Sequence, residues 1–461
     1  MTTLRLPISS PRHRVARLVG VGLAVLVVLL ASRLPLPGSP VAPAAAPAVE
    51  PEPLAPAPQL DARGSLGLLP PAERVDFWEK RVAAGGSYLD LINLADAYLD
   101  RSRATGDLDD LTRAATALDS AAETAPYPPQ VDVRRAQVAF ALHDFAGALQ
   151  RADDVLRDDP NNLAALGVAA DARLETGDVD GARERYEQLA RLAPSPAAWS
   201  RLGRLAFLTG DPDAAIRLVA RAEDESRAAG APDAEAFYAL QLGDLRRATG
   251  DLDGAAAAYD RALAVQPDYV PAMAGLAAVH HVAGRDPEAT QLLEAATARL
   301  PQPELVAALG DLYALAGRQR DADAQYRLVD GIAQLSAANG SVYDRQLTLF
   351  AADHGRDLAA AVRRAGAELA VRGDVYGHDA LAWALFNAGQ LDEAAAEATA
   401  AMALGTPDPR IAYHAGLIAA ARGERDVALP LLRLAVRGGA MLPPLQLERA
   451  RAELASLEAA A

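Results

Sequence analysis

The sequence predicts an all-α solenoid of about ten helix–turn–helix units with a C-terminal capping helix. Three observations carry that prediction: a self-similarity between Ala95 and Ala435, a Gly-Asp pair at the same place in many units, and a proline closing several of them. The repeat shows most clearly when residues 239–267, ALQLGDLRRATGDLDGAAAAYDRALAVQP, are shifted by 34 onto the segment beginning at Met273. Leu242/Leu276, Gly243/Ala277, Gly250/Gly284, Ala255/Ala289, Ala262/Ala296 and Pro267/Pro301 then coincide.

Each part of the unit has a physical reason. Small residues at the Gly243, Ala255 and Ala262 positions let two helix backbones approach, while Leu242 and Tyr259 fill the space between them. Ala255 is expected in the interior of its unit and Ala258 on an outer face. Gly250-Asp251 turns the chain between the two helices, and Pro267 ends the second because it has no amide to donate. A pair of short helices with one apolar face cannot bury that face alone, so neighbouring units must stack.

The other units follow in order. Leu91, Leu94, Ala95 and Tyr98 open the first, which turns near Gly106-Asp107 and ends at Pro126. The second and third end at Pro160 and Pro194, and the fourth opens with Trp199-x-x-Leu202-Gly203. About six extra residues fall near 223–234, and the last four units turn at Gly317, Gly355, Gly389 and Gly423. After Pro443-Pro444, residues 445–457 carry an apolar stripe of Leu447, Ala450, Leu454 and Leu457, expected to close the end of the stack.

This pattern resembles the tetratricopeptide-repeat family over roughly residues 88–440, although the family's first-helix aromatic survives only as Trp199. The segment 374–428, with Asp379, Trp383, Tyr413, His414 and Gly416, is similar to the closing repeat pair of many bacterial members. The resemblance implies a binding surface and names no reaction.

The N-terminus is of another kind. Arg5, Arg12, Arg14 and Arg17 precede an apolar run over 18–32, which reads as a signal anchor or, alternatively, a cleaved secretion signal. The surplus of arginine before the run keeps the N-terminus cytoplasmic and places the repeats outside the cytoplasmic membrane. Residues 34–60 hold nine prolines and almost no charge, the composition of an extended spacer. The expected organisation is a basic tail and anchor (1–33), a Pro/Ala-rich linker (34–72), the solenoid (73–440) and a capping helix (441–461).

Composition excludes several functions. A net charge of −16 argues against nucleic acid as a main ligand, since that needs a clustered basic face. Lys80 is the one lysine and there is no cysteine, which removes a P-loop, a Ser-x-x-Lys nucleophile, thiolate metal sites and thiol catalysis. The adjacent His280 and His281 diverge by about 100° on a helix and suit packing better than a shared metal. No enzyme, metal or cofactor is expected.

In the tetratricopeptide-repeat family the first helix of each unit lines the concave face. That register implies Asp96, Gln137, Asp171, Arg204, Asp244, Asp311, Leu349, Trp383 and Leu417 at one recurring position, with Phe207 and Phe386 among the residues one turn on. The lysine-rich clamp of chaperone-binding members is absent. Trp383 and Phe386, three residues apart, share a helix face. With Tyr413 and Leu417 they are expected to anchor a protein or peptide, Asp379 and Arg410 forming the rim and Arg204 and Phe207 lying further along. The function expected is a membrane-tethered extracytoplasmic scaffold for envelope or exported proteins. The alternative is a non-catalytic, substrate-cradling subunit of an envelope enzyme or transport complex.

Overall fold

The computed structural model describes residues 69–459 except 106, 108, 126–127 and 339–344. The anchor and most of the linker (1–68), with Gly106 and Pro126 of the first unit, lie outside the described residues. One helix, α1 (Pro71–Ala83), precedes ten antiparallel pairs. These are α2/α3 (Tyr88–Thr105, Asp109–Thr124), α4/α5 (Pro128–Ala141, Phe145–Asp158) and α6/α7 (Leu163–Glu175, Val179–Leu192). Next come α8/α9 (Pro196–Leu208, Pro212–Ala228), α10/α11 (Pro232–Thr249, Leu252–Val265) and α12/α13 (Val270–Val282, Asp286–Arg299). The array continues with α14/α15 (Pro303–Leu315, Gln319–Ala338), α16/α17 (Arg345–Asp353, Leu358–Leu369), α18/α19 (Val375–Asn387, Leu391–Ala401) and α20/α21 (Pro409–Ala421, Arg425–Arg437). A 3₁₀ turn (Gly439–Met441) leads to α22 (Pro444–Ala459). We number the pairs as units 1 to 10.

The local chemistry is that of the repeat. In the Gly-Asp turns the aspartate caps the second helix: Gly181 N donates to Asp178 Oδ1 and Gly254 N to Asp251 Oδ1, both at 3.0 Å. The fully buried Tyr259 ring explains the small positions beside it. A Cβ on Gly243 would lie 2.5 Å from that ring and one on Gly275 2.4 Å, so the ring is seated between two first helices. The extra residues of units 4 and 5 lengthen α9 and α10 to 17 and 18 residues. Ala258 is fully buried alongside Ala255, contrary to the outer face expected for it. A second helix packs on its own first helix and also on the first helix of the next unit, which leaves it little outer face.

The array is also closed on itself. The turns of units 3, 4 and 5 abut the connections that follow units 8, 9 and 10, five units further along the chain. Thr406 Oγ1 donates to Leu208 O at 2.6 Å across 198 residues. Leu174, Tyr186, Leu205 and Leu208 share one buried cluster with Val375, Ala401 and Ile411. Phe207 and Ala248 meet Met441 of the 3₁₀ turn. At the unit 3 end of this seam Gly177 has φ +86°, and a Cβ there would lie 2.4 Å from Gly373 O. Gly389 has a similar φ, +80°, with nothing within 4 Å of its would-be Cβ. Alanine at either position carries the left-handed strain of roughly 1–2 kcal/mol. Gly177→Ala should cost clearly more than Gly389→Ala in urea unfolding, because it alone drives two backbones apart. Equal shifts would mean that the seam does not form.

Candidate functional site

Successive first helices pack on one another and form the inner, concave layer of the closed turn. Three of its aspartates are taken up by their own units. Tyr186 Oη donates to Asp171 (2.8 Å), Tyr259 Oη to Asp244 (2.7 Å) and Tyr326 Oη to Asp311 (2.8 Å), each tyrosine 15 residues after its acid. Asp171 also accepts two bonds from Arg201, at 2.9 Å each to Nε and Nη2, and Asp96 pairs with Arg134. The acidic lining expected from sequence is therefore largely consumed in holding helices together.

Units 8 to 10 supply an aromatic floor. Trp383 is buried to 1% exposure; its ring stacks on His414 (4.3 Å between centroids) and Phe386 (5.4 Å), with Tyr413 tilted beside it at 5.4 Å. Its Nε1 donates to Asp353 Oδ1 at 2.7 Å. Burial pushes the Asp353 carboxyl above its ordinary range, against the pull of His414 and of this hydrogen bond. Asp379 lies at the base of the cluster, 2.9 Å from His414 Nδ1, and Leu417 completes the apolar wall. Trp383, Phe386, Asp379, Tyr413 and Leu417 are thus brought together, with Asp379 buried beneath the cluster where sequence expected a rim.

Arg410, Arg204 and Phe207 belong to the seam. Arg410 is folded back on the buried Asp408, with Nη2 at 2.8 Å, and its guanidinium lies 5.7 Å from the Tyr376 ring. Arg204 Nη2 donates to Glu175 Oε1 and Arg372 Nε to Glu175 Oε2, both at 2.6 Å. Burial would raise the Glu175 carboxyl, but Arg204, Arg372 and Arg345 together outweigh it and hold the group at about 2. Arg345 in turn pairs with Glu368 (2.8 Å) and Asp374 (3.0 Å). A cavity of about 160 Å³ remains beside this network, lined among others by Arg204, Asp374, Tyr376 and His378.

Among the described residues, His378, His281 and His354 each face a different carboxylate. His378 Nδ1 lies 2.7 Å from Glu397, His281 Nδ1 2.7 Å from Asp286, and His354 Nε2 3.1 Å from Asp311. Burial, with Arg372 beside it, lowers the His143 imidazole to about 4. Among the described residues no group of three or more metal-ligating side chains converges, and no helix is long and apolar enough to cross a membrane.

Sequence reasoning missed Glu175, Arg345, Arg372, Asp353 and Thr406. A signal was present for the seam: units 2, 3, 5 and 6 close on Pro160, Pro194, Pro267 and Pro301, whereas units 8, 9 and 10 are followed by Gly373, Gly405 and Gly438. Those glycines stand where the connections press on the turns of units 3 to 5.

Comparison with known proteins agrees with this architecture. A family model described as Tetratricopeptide repeat matches residues 139–202 and 246–312, and a second of the same description matches 380–441. No curated protein matches the sequence. Among solved structures the chain is similar to PilW, described as a widely conserved type IV pilus biogenesis factor, at 23% identity and a TM-score of 0.38, covering 48% of this chain and 98% of that one. It is similar to the MamA protein at 23% identity and a TM-score of 0.29, covering 37% and 91%. A tetratricopeptide repeat protein from Parabacteroides merdae ATCC 43184 gives 17% identity and a TM-score of 0.39, covering 57% and 98%. Repeats of this kind mediate protein–protein interaction or assembly, and their scaffold families are generally non-catalytic. With ten stacked helix pairs, a 34-residue sequence period and family matches over 139–202, 246–312 and 380–441, this chain is built of tetratricopeptide repeats.

Proposed function

We propose that the chain is an extracytoplasmic scaffold, tethered to the cytoplasmic membrane by residues 18–32, which holds another protein on the concave face of units 8 to 10. The tether is supported by the four arginines before that apolar run and the proline tract after it. One observation carries the choice of face: Trp383, Phe386, Tyr413 and Leu417 from successive first helices join in one apolar cluster on the concave layer. Aromatic side chains bury a large area at little entropic cost, which suits an anchor for a helix or an extended segment. The proposed docking surface extends to Arg204, Phe207 and Arg410, which lie along the seam.

Topology is the direct test. Fusing alkaline phosphatase to the C-terminus of the full chain should give an active enzyme, and the fusion should sediment with membranes. An inactive phosphatase, with the fusion intact and cytoplasmic, would remove the extracytoplasmic assignment. Partner capture from solubilised membranes by the full chain then tests the scaffold itself, with Trp383→Ala compared below its own melting temperature so that lost binding is separated from unfolding.

A further inference from the structure

The docking face just described already holds a helix. Leu447 and Ala450 of α22 are fully buried, and with the half-buried Leu454 and Leu457 they join the cluster of Ala352, Trp383, Tyr413 and Leu417. Leu349 and Phe386, two more concave positions, pack against the same cluster. The Arg449 guanidinium lies 5.6 Å from the Trp383 ring and 5.9 Å from Phe386, and it faces the Tyr413 hydroxyl. Beneath these rings lies the half-buried Asp353, so the floor that Arg449 covers is both aromatic and acidic. Helix α22 does more than extend the stack. It packs on α21 and α20 at the end of the array and also on α14 of unit 7, so it lies across the inside of the closed turn.

We propose that α22 is a self-ligand. It fills the concave face in the free protein, and the partner of that face is an amphipathic helix with the same chemistry. That helix carries apolar residues at the spacing of Leu447, Ala450, Leu454 and Leu457 and an arginine two residues after the first. This deepens the scaffold reading and rests on it only for the role of the face.

The way α22 is held suits exchange. Its first half is buried at Pro444, Gln446, Leu447 and Ala450, while most of 451–459 is exposed. Its last turn is held from α21, where Arg425 Nη2 donates to Leu457 O at 3.0 Å and Arg433 pairs with Glu458 at 2.8 Å, the latter pair exposed. Few buried contacts and exposed polar ties are the marks of an element that opens below the global unfolding limit. The preceding Gly438 is fixed on the seam, where a Cβ would meet Pro409 and Ala248 O, so α22 leaves without loosening the array. A tethered helix competes at an effective concentration of about millimolar, which keeps a free helix out until α22 is displaced.

The experiment uses the full chain carrying Trp78→Phe and Trp199→Phe, which leaves Trp383 as its sole tryptophan. The probe is a labelled synthetic peptide of residues 443–461. Leu447→Glu in the chain should release α22, shift Trp383 emission to the red and strengthen peptide binding at least tenfold over the parent. Bound peptide should return the emission to the blue, and a peptide carrying Leu447→Glu should do neither. A second chain variant, Arg449→Glu with Leu454→Glu, acts on less buried positions and should behave alike. Hydrogen exchange that shows α22 open and the units still protected, with no gain in peptide binding, would overturn the proposal. Loss of the whole array in both variants would also overturn it, by making α22 an integral part of the stack. Either failure leaves the scaffold reading standing, because that reading is tested by reporter location and partner capture.

Discussion

Glu175→Gln is expected to open the seam and to destabilise the protein by about 3–5 kcal/mol, the range for breaking a buried ion pair from one side. The carboxylate is almost fully buried and accepts from Arg204 of unit 4 and from Arg372 of the connection after unit 8. Glutamine keeps the shape and removes the charge. Arg204 suffers most, since Glu175 is the acid it bonds, whereas Arg372 retains Glu368 and Asp374 nearby at 3.9 and 3.6 Å. The same pairing sets a pH dependence. With the folded group held at about 2 against an ordinary 4.5, its contribution is complete above about 4.5 and is lost as the pH falls toward 2. The wild type should therefore lose stability over that acid window more steeply than the variant. A rise in the radius of gyration from solution scattering, together with the lower melting temperature, would report opening of the turn. A variant as stable and as compact as wild type would show that the seam does not depend on this carboxylate.

Trp383→Ala should cost about 3–5 kcal/mol, the usual loss for truncating a large buried aromatic. The cavity would lie between His414, Phe386 and Tyr413, and Asp353 would lose the indole donor. Burial already raises the Asp353 carboxyl, and the indole bond favours its charged form. A group raised in the folded state costs stability as pH rises through its folded value. Without the indole that cost grows, so the deficit of Trp383→Ala should be larger at neutral pH than at mildly acid pH. Thermal melts at the two pH values check both magnitude and sign. A variant that melts with the wild type would place Trp383 outside the core.

Much of this was legible before any coordinates. Gly250-Asp251 and its equivalents mark the turns, and the small residues at Gly243, Ala255 and Ala262 mark where helices touch. The concave register placed Leu349, Trp383 and Leu417 at one recurring position, and all three lie in or against a single cluster. What failed was the estimate of what fills the space around them. Within its own unit Ala258 reads as an outer-face residue, and the first helix of the next unit buries it. Asp379 was expected at a rim because nothing in its own unit shows that His414 of the next unit lies over it.

The sequence by itself determined the helix pairs, their order and the residues that face inward. Those properties depend on contacts within a unit and between neighbours, and such contacts leave a periodic trace of about 34 residues. Only the tertiary structure decided that unit 3 meets the connection after unit 8, and that α22 covers Trp383. Both depend on small rotations between units summed over half the array. No local period records a sum of that kind; it shows only as single departures from the pattern, a glycine at 373, 405 and 438 where units 2, 3, 5 and 6 close on proline.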